Sequence, residues 1–268
     1  MEPDGFHVST FPAARLATTD VGRIGLRKHY MFSLLEVDAT AARESARGMR
    51  RQGQAVSFTA WILKAVSQSV HRNPAVQAMR LGKLRLVTFD DVDIAIPVER
   101  KVGDAGVPLP LLIKATNRKS VMEIQAELDQ ATRQTVQSEK DYILSRHRFS
   151  RASLRLYYRL PQWTRVTILG WLLARNPFRA KRNSGTVLVT TVNAIGRSAG
   201  WILPTRSLHN LSVGLGSISR KPWVVDGKVV VRDILHLTIS MNHDVIDGVP
   251  ARRFVQDLAS IIESGRLE

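Results

Sequence analysis

Cysteine is absent from the 268 residues of the chain. This absence excludes a disulfide scaffold, a cysteine nucleophile and any thiolate metal site, and it fits a reducing compartment. Long apolar runs are missing as well. The longest, residues 166–174, is interrupted by Thr167 and Gly170 and is far shorter than the roughly 20 residues that a membrane-spanning helix needs. The first residues lack the apolar core of a signal peptide, and we therefore expect a cytoplasmic protein.

Acidic residues are scarce relative to basic ones. The chain holds 39 Lys and Arg against 23 Asp and Glu, which gives a net charge of +16. A charge of this size predicts a phosphate-bearing or polyanionic partner, or an anionic surface. Apolar residues make up 44% of the chain and charged residues 23%, as in ordinary globular proteins, so a disordered chain is excluded.

Strand-like and helix-like patterns alternate along the chain, and a run of strands follows. The predicted strands are residues 31–37, 83–88, 92–98, 111–113, 186–192, 211–218 and 235–241. The predicted helices are residues 41–49, 57–70, 120–141 and 250–263. This order predicts an α/β (α+β) sandwich with a large mixed sheet flanked by helices. Residues 1–20 show no strong period, and we expect them to form an N-terminal arm before one domain, residues 21–268.

Local signals mark caps and turns. Asp38 or Thr40 is expected to cap the first predicted helix, and Ser120 the third. The stretch 103–110 is rich in glycine and proline and predicts a loop. Asp226-Gly227 stands between two β-rich runs and predicts a hairpin.

One of the seven histidines stands in a setting that favours catalysis. His243 follows a predicted strand within Asn242-His243-Asp244-Val245-Ile246-Asp247-Gly248. A histidine on a loop at the end of a strand is well placed to act as a general base. The alternative is a histidine that is merely satisfied in a turn. No two histidines show the four-residue spacing of a helical metal site, and we expect no metal.

Four further stretches match one family in the correct order. With the histidine motif, the chain resembles the catalytic core of the 2-oxoacid dehydrogenase acyltransferases, which shares its fold with chloramphenicol acetyltransferase. The resemblance covers about residues 15–265. It is carried by Ser57-Phe58-Thr59-Ala60 with Asn73-Pro74, Asp93-Ile94-Ala95-Ile96-Pro97-Val98 with Gly106-Val107-Pro108 and Lys119-Ser120, Gly185-Thr186 through Thr190-Thr191, and Gly214-Leu215-Gly216 with Lys221-Pro222 and Arg232.

The resemblance implies roles for individual residues. His243 would take the proton of the attacking thiol or hydroxyl, and Thr190, with Thr191 as the fallback, would donate a hydrogen bond to the oxyanion. The alternative for both threonines is an ordinary strand position. Asp247 would orient the loop by pairing with Arg27, unless Arg27 is simply solvated.

Three positions near His243 bear on the resemblance: Gly248 fits the family pattern, and two others depart from it. Gly248 would permit the tight turn between strand and helix. The family usually has Asp before the histidine and Arg after it, where this chain has Asn242 and Asp244. These departures put in doubt any substrate contact that the family's Arg makes.

The same resemblance implies substrates and assembly. We expect acyl transfer between coenzyme A and a dihydrolipoyl group on a separate protein, or a small thiol or hydroxyl acceptor. The residues that bind coenzyme A are not identifiable from the sequence. A homotrimer is expected, with active sites between subunits and with cage assembly left open. Because residues 1–20 are too few for a lipoyl or subunit-binding domain, we expect a stand-alone core. The rival function is a non-catalytic trimeric scaffold.

Residues 146–182 form a basic, aromatic-rich insertion with ten Lys or Arg and no acid. Its first interpretation is an elaboration at the substrate channel or trimer edge. The second is an element that binds an anionic membrane surface, and with it an acyltransferase acting on a lipid acceptor, because Tyr157, Tyr158, Trp163 and Trp171 lie among arginines. The third is nucleic-acid binding, which the lack of any recognised motif of that kind in the chain disfavours.

Overall fold

The computed structural model describes residues 5, 7–8, 13–102, 105–134, 156–171, 175–191 and 199–268. The helices are α1 Ala13–Gly25, α2 Thr40–Arg51, α3 Phe58–Arg72, α4 Val121–Arg133, α5 Gln162–Leu169, α6 Pro177–Ser184 and α7 Gly248–Ser264. The strands are β1 Tyr30–Asp38, β2 Met79–Leu81, β3 Arg85–Val87, β4 Ile94–Val102, β5 Ala105–Ile113, β6 Val187–Thr191, β7 Leu211–Val225 and β8 Lys228–Asn242. Among these residues, no helix has both the length and the apolar character needed to cross a membrane.

Six strands form one mixed sheet in the order β1-β8-β7-β6-β4-β5. β6 runs parallel to both of its neighbours, and the other pairs are antiparallel. The short strands β2 and β3 pair separately. The predicted sandwich with a large mixed sheet flanked by helices is therefore confirmed.

The main apolar core lies between one face of the sheet and the helices α3, α4 and α7. Alternate residues of β8 enter this core, namely Leu235, Leu237, Ile239 and Met241. The intervening residues face the other side, and they are buried although they are polar: His236, Thr238, Ser240 and Asn242. Because side chains alternate along a strand, β8 separates an apolar layer from a polar one.

Helix caps follow the sequence signals only in part. Ser120 forms a capping box with Glu123, as expected, and Ser57, the first residue of the second predicted helix, instead caps α3 by accepting a hydrogen bond from the Ala60 amide. The residue before α2 is Ala39, which has no side-chain cap, and Asp38 instead accepts a hydrogen bond from the Thr40 amide at 2.9 Å. The predicted helix 120–141 is shorter than expected, since α4 ends at Arg133; residues 135–141 lie outside the described part.

The prediction of a loop at 103–110 is wrong, because residues 105–113 form β5. This strand pairs with β4 alone, at the edge of the sheet. Proline lacks an amide hydrogen, and an edge strand has one side on which no amide is needed. Pro108 and Pro110 are therefore compatible with pairing, although their composition is typical of a loop.

The hairpin at Asp226-Gly227 is confirmed. It joins β7 and β8, with Val225 opposite Lys228. Asp226 and Gly227 have φ angles of 50° and 75°. Two successive residues in the left-handed region are what a two-residue hairpin turn of the favoured twist requires.

Part of the expected N-terminal arm is helical. Residues 13–20 belong to α1, which packs against α5. Asp20 is fully buried there and accepts hydrogen bonds from Arg165 Nε at 2.7 Å and Nη2 at 3.2 Å. The hydroxyl of Tyr157 donates to the same carboxylate at 3.1 Å. This forked pair satisfies both charges and fixes α5 relative to α1.

Asp20→Ala is expected to lower the free energy of unfolding by roughly 3–5 kcal/mol, because it leaves the Arg165 guanidinium buried without a counter-ion. The double variant Asp20→Ala, Arg165→Met removes both charges and should recover most of that loss. Urea unfolding followed by circular dichroism measures both variants. Equal losses in the single and double variants would contradict the importance of the unpaired charge.

Candidate active site

His243 lies in the turn that joins β8 to α7. Its backbone amide donates to the carbonyl of His29 at 2.7 Å, which extends the pairing of β8 with β1 by one residue. Ile246, three residues later, is buried in the main core. The imidazole of His243 is exposed. The turn is thus held by its backbone and by Ile246, while the histidine side chain faces outward.

A buried amide network supports this turn from beneath. Asn242 is 3% exposed, and its Nδ2 donates to Asn210 Oδ1 at 3.1 Å. Its own Oδ1 accepts from the Asp244 amide at 3.2 Å. Asn210 Nδ2 in turn donates to the carbonyl of Ala78 at 2.7 Å. Asn242 therefore has a positional role that an aspartate would perform differently, because a carboxylate donates no hydrogen bond.

Lys28 completes the network from the segment between α1 and β1. Its ammonium donates to Asn210 Oδ1 at 3.0 Å, to the carbonyl of His209 at 3.2 Å and to the carbonyl of Leu208. Burial lowers the pKa of Lys28 to about 8, and the negative charge of Asp244 opposes that shift. By donating to these three oxygen atoms, Lys28 holds the segment 208–210 against the end of β8.

His209 and Tyr30 lie in the same layer. The hydroxyl of Tyr30 donates to the carbonyls of Ser207 at 3.0 Å and His209 at 2.8 Å, and burial raises the pKa of Tyr30 to about 12. His209 Nε2 is 2.6 Å from the carbonyl of Ser184, so this nitrogen carries the hydrogen. Burial lowers the pKa of His209 to about 4. Burial therefore keeps the side chains of Tyr30 and His209 neutral at pH 7, whereas Lys28 in the same layer remains charged.

Asp244 has a partner of its own. Its carboxylate lies 2.7 Å from Nδ1 of His29 and also accepts from the His29 amide at 3.3 Å. The hydrogen bond from His29 lowers the pKa of Asp244. Asp244, which stands where the family usually has Arg, therefore ties the turn to the start of β1.

The two candidate threonines lie on opposite faces of β6. Val187 and Val189 belong to the main core, so Thr191 has the parity of the helix-covered face and Thr190 that of the polar face. Thr190 pairs with Gly214 of β7, and Gly214 pairs with Thr238 of β8. The face that carries Thr190 is thus the one that carries the polar residues of β8.

The register also separates Thr190 from His243. His243 lies five residues beyond Thr238, the residue level with Thr190. At roughly 3.3 Å per residue, this is about 17 Å along the strands, and two strand spacings add roughly 10 Å across them. The two side chains therefore do not meet within one chain.

Glycines at the polar face admit a second layer of backbone. A Cβ on Gly214 would lie 2.5 Å from the carbonyl oxygen of Ile202, and one on Gly216 would lie 2.3 Å from that of Gly200. The segment 199–204 consequently runs directly against β7. The alternate spacing of these two glycines on a strand is the signal in the sequence that indicates this contact.

Two predicted supporting roles are not found within the chain. Among the described residues, neither Arg27 nor Asp247 has an ion-pair partner; both side chains are exposed. The expected Arg27–Asp247 pair is therefore absent here, and the neighbouring Lys28 and His29 hold the turn instead. The expected role of Gly248 is not needed either. It begins α7 with a negative φ, and a Cβ would meet no atom within 4 Å.

The described residues contain no group of three His, Asp or Glu side chains arranged to hold a metal ion. The turn presents one exposed imidazole, that of His243, above a buried polar layer. Lys28, His209 and Asn210 were not among the predicted site residues. Lys28 stands next to Arg27, to which the family resemblance assigns a supporting role, and this position is the one signal that could have found it.

The sequence model of the 2-oxoacid dehydrogenases acyltransferase catalytic domain matches residues 29–142 and 209–267. The chain belongs to this acyltransferase family. The matched ranges contain the turn with His243 and the network residues Asn210 and Asn242, whereas Lys28 lies just outside them. They leave out residues 143–208, and with them Thr190, Thr191 and the whole basic insertion.

Individual proteins agree with this assignment. The lipoamide acyltransferase component of the branched-chain alpha-keto acid dehydrogenase complex of Bacillus subtilis is 23% identical over 285 residues, which cover 98% of this chain and 56% of that protein. The chain thus spans little more than half the length of this relative.

Solved structures share the fold. The dihydrolipoamide acetyltransferase of Azotobacter vinelandii has a TM-score of 0.66 at 20% identity, with 97% of this chain and 93% of that chain covered. A chloramphenicol acetyltransferase has a TM-score of 0.50 at 12% identity, with 96% and 98% covered. The expected chloramphenicol acetyltransferase-like fold is confirmed.

The depressed pKa of His209 predicts acid sensitivity. Below about pH 6.5 the unfolded chain binds a proton at this histidine, whereas the folded chain does so only near pH 4, so lowering the pH favours unfolding across that window. Between pH 7 and pH 5, the wild type should lose up to about 2 kcal/mol more unfolding free energy than His209→Gln.

Urea unfolding at the two pH values measures this difference. The exposed His71 provides the matched control, and His71→Gln should follow the wild type. Parallel pH dependence of the wild type and His209→Gln would contradict the prediction.

Proposed function

We propose that this protein transfers an acyl group between coenzyme A and the thiol of a dihydrolipoyl group, with His243 as the general base. The observation that carries the proposal is the exposed imidazole of His243 on a turn held by Ile246, Asn242 and His29. A general base must reach the proton that it removes, and a rigid backbone keeps it in position. A cytoplasmic location stays a prediction.

A related enzyme supports the role of the histidine motif. The structural study of the Azotobacter vinelandii enzyme concerns a serine, a histidine and an asparagine in its catalytic mechanism, the asparagine four residues after the histidine. In this chain Asp247 stands four residues after His243. We assign Asp247 a role at the reacting groups rather than in a pair with Arg27, because its carboxylate is exposed beside the turn.

The proposed reaction keeps the proton within the site. His243 removes the proton of the acceptor thiol as that sulfur forms a bond to the thioester carbonyl carbon. Thr190 donates a hydrogen bond to the oxygen, which gains the negative charge. As the carbonyl re-forms, the bond to the sulfur of coenzyme A breaks, and protonated His243 returns the proton to that sulfur. No redox partner is required.

The proposed site contains residues of two copies of the chain. His243 and Thr190 lie about 17 Å apart along the strands by register, which excludes cooperation within one chain. Thr190 nevertheless lies on the polar face of the sheet, where a neighbouring copy can present its histidine. We therefore propose a homotrimer with one site at each interface, and we leave further assembly into a cage open.

The acceptor follows from the relatives. The Bacillus subtilis protein is a lipoamide acyltransferase, and a dihydrolipoyl group on a separate protein is the corresponding acceptor here. A small thiol or hydroxyl compound is the alternative. The net charge of +16 suits the phosphates of coenzyme A. A lipid acceptor stays a prediction, since no contact of the described residues favours it.

A non-catalytic scaffold is the rival. The departures at Asn242 and Asp244 raised it, yet both residues have contacts that hold the turn in place. Those contacts support retained catalysis, because they keep the imidazole positioned although the family's residues are replaced.

His243→Ala is expected to lower the rate of acyl transfer by about 10²–10⁴-fold, because it removes the general base. A thiol-release assay with acetyl- and longer acyl-coenzyme A, and with dihydrolipoamide as the acceptor, measures the rate. His71→Ala, which replaces an exposed histidine remote from the turn in sequence, is the control and should retain wild-type turnover. Turnover that survives in His243→Ala would contradict the assignment, and wild-type protein that fails to bind coenzyme A would favour the scaffold.

Mixing two inactive variants tests the shared site. If His243 and Thr190 act from different copies, every mixed trimer of His243→Ala and Thr190→Val chains has both intact residues at one of its three interfaces, so purified mixed trimers should show about a third of the wild-type activity. The two variants are co-expressed with different tags, and mixed oligomers are purified through both. Activity no higher than that of the separate variants would place the oxyanion donor elsewhere.

A further inference from the structure

Two tryptophans lie exposed on the same side of the helix α5 and its continuation. Trp163 is 73% exposed and Trp171 is 60% exposed. With Thr167 between them they recur at four-residue steps, and residues at that spacing share one helix face. Large exposed aromatic side chains in a row are unusual on a protein surface that contacts only water.

The groove beside Trp163 extends this surface onto α1. It is lined by Arg23, Leu26, Arg27, Gln162, Trp163 and Thr167, with Val166 beneath. Leu26 is 54% exposed. We call these residues together with Trp171 the α1–α5 surface. This surface combines the apolar side chains of Leu26, Trp163 and Trp171 with the charged side chains of Arg23 and Arg27, so it is amphipathic.

Arg23 and Arg27 line the groove of this surface, and both are exposed. The described residues from 156 to 182 include six Lys or Arg and no acid. Arg165 is paired with Asp20 in the interior, and Lys181 lies 3.0 Å from Asp93. The remaining Arg159, Arg175, Arg179 and Arg182 are exposed and have no ion-pair partner among the described residues. Their charges are available to an anionic partner.

The interior contacts explain why the tryptophans point outward. Arg165 and Val166 occupy the inner side of α5, where Arg165 bonds to Asp20 and to the carbonyl of Leu160 at 2.8 Å. A helix with those residues inside presents the stripe of Trp163 and Trp171 to the outside. The buried ion pair thus sets the orientation of the exposed stripe.

We propose that the α1–α5 surface docks the protein onto an anionic lipid bilayer. Tryptophan favours the interface between headgroups and acyl chains, and arginine binds the phosphates there. α5 has eight residues, so it lies in the plane of the headgroups and does not cross the bilayer. The same face of a second copy is disfavoured as the occupant, because it would bring like charges together. This docking is independent of the acyl acceptor.

Co-sedimentation with vesicles tests the proposal on the full chain. Vesicles of phosphatidylcholine with about 30% phosphatidylglycerol should bind the wild type, and vesicles of phosphatidylcholine alone should bind it at least about fivefold more weakly. Trp163→Ala, Trp171→Ala should reduce binding to the anionic vesicles by about fivefold or more. Arg23→Gln, Arg27→Gln removes the two charges that line the groove and should reduce both the binding and its dependence on salt.

Matched controls separate this surface from general charge. Arg252→Gln, Arg253→Gln removes two exposed charges from α7 and should leave binding unchanged. Circular dichroism and sedimentation equilibrium confirm that each variant keeps its fold and assembly. Since the tryptophans are exposed, their loss should not unfold the chain.

Three outcomes would overturn the proposal. The first is wild-type protein that does not bind anionic vesicles. The second is a tryptophan variant that binds as well as the wild type, which would reduce the effect to adsorption by net charge. The third is a smaller oligomer in the tryptophan variant, which would assign the α1–α5 surface to a second copy. None of these results depends on acyl transfer, so the proposed reaction is tested separately.

Discussion

The alternation of side chains along β8 is the constraint on which the rest of the structure depends. One set of its residues packs into the apolar core with α3 and α7, and the other set is polar and equally buried. Buried polar groups require partners. The partner of His236 is Ser217 of β7, and that of Asn242 is Asn210 in the segment 199–210. Its contacts with Ser217 and with Asn242 cover the polar face. The turn that presents His243 is the continuation of this arrangement, since Asn242 is the last residue of β8.

A buried charge performs a similar task in two other places. Lys28 holds carbonyl groups under the candidate active site, and Arg165 holds Asp20 between α1 and α5. Each fixes an element that has little apolar area of its own. The cost of burying a charge is offset only by close partners, so such contacts specify one geometry more sharply than apolar packing does. The exposed imidazole of His243 and the exposed tryptophans of α5 and its continuation both rest on contacts of this kind.

Much of the architecture could be predicted from local pattern. The period of α3, the cap at Ser120 and the hairpin at Asp226-Gly227 depend on neighbours within a few residues, and the structure agrees with them. The failures involve distant neighbours. Residues 105–113 have the composition of a loop, but as an edge strand their prolines need no second partner. Residues 13–20 show no strong period, yet Asp20 finds Arg165 across 145 positions of sequence.

The sequence by itself determined the sheet and helix types, the family resemblance and the place of His243 at the end of a strand, because these follow from side-chain period and from motifs that are contiguous along the chain. Tertiary structure alone decided which residues support that histidine. Arg27 is exposed whereas Lys28 is bonded to the segment 208–210, although the two are adjacent in sequence. It also separated Thr190 from His243 through the register of three strands. Strand register and the direction of a side chain depend on which elements lie next to one another, and no single stretch of sequence contains that information.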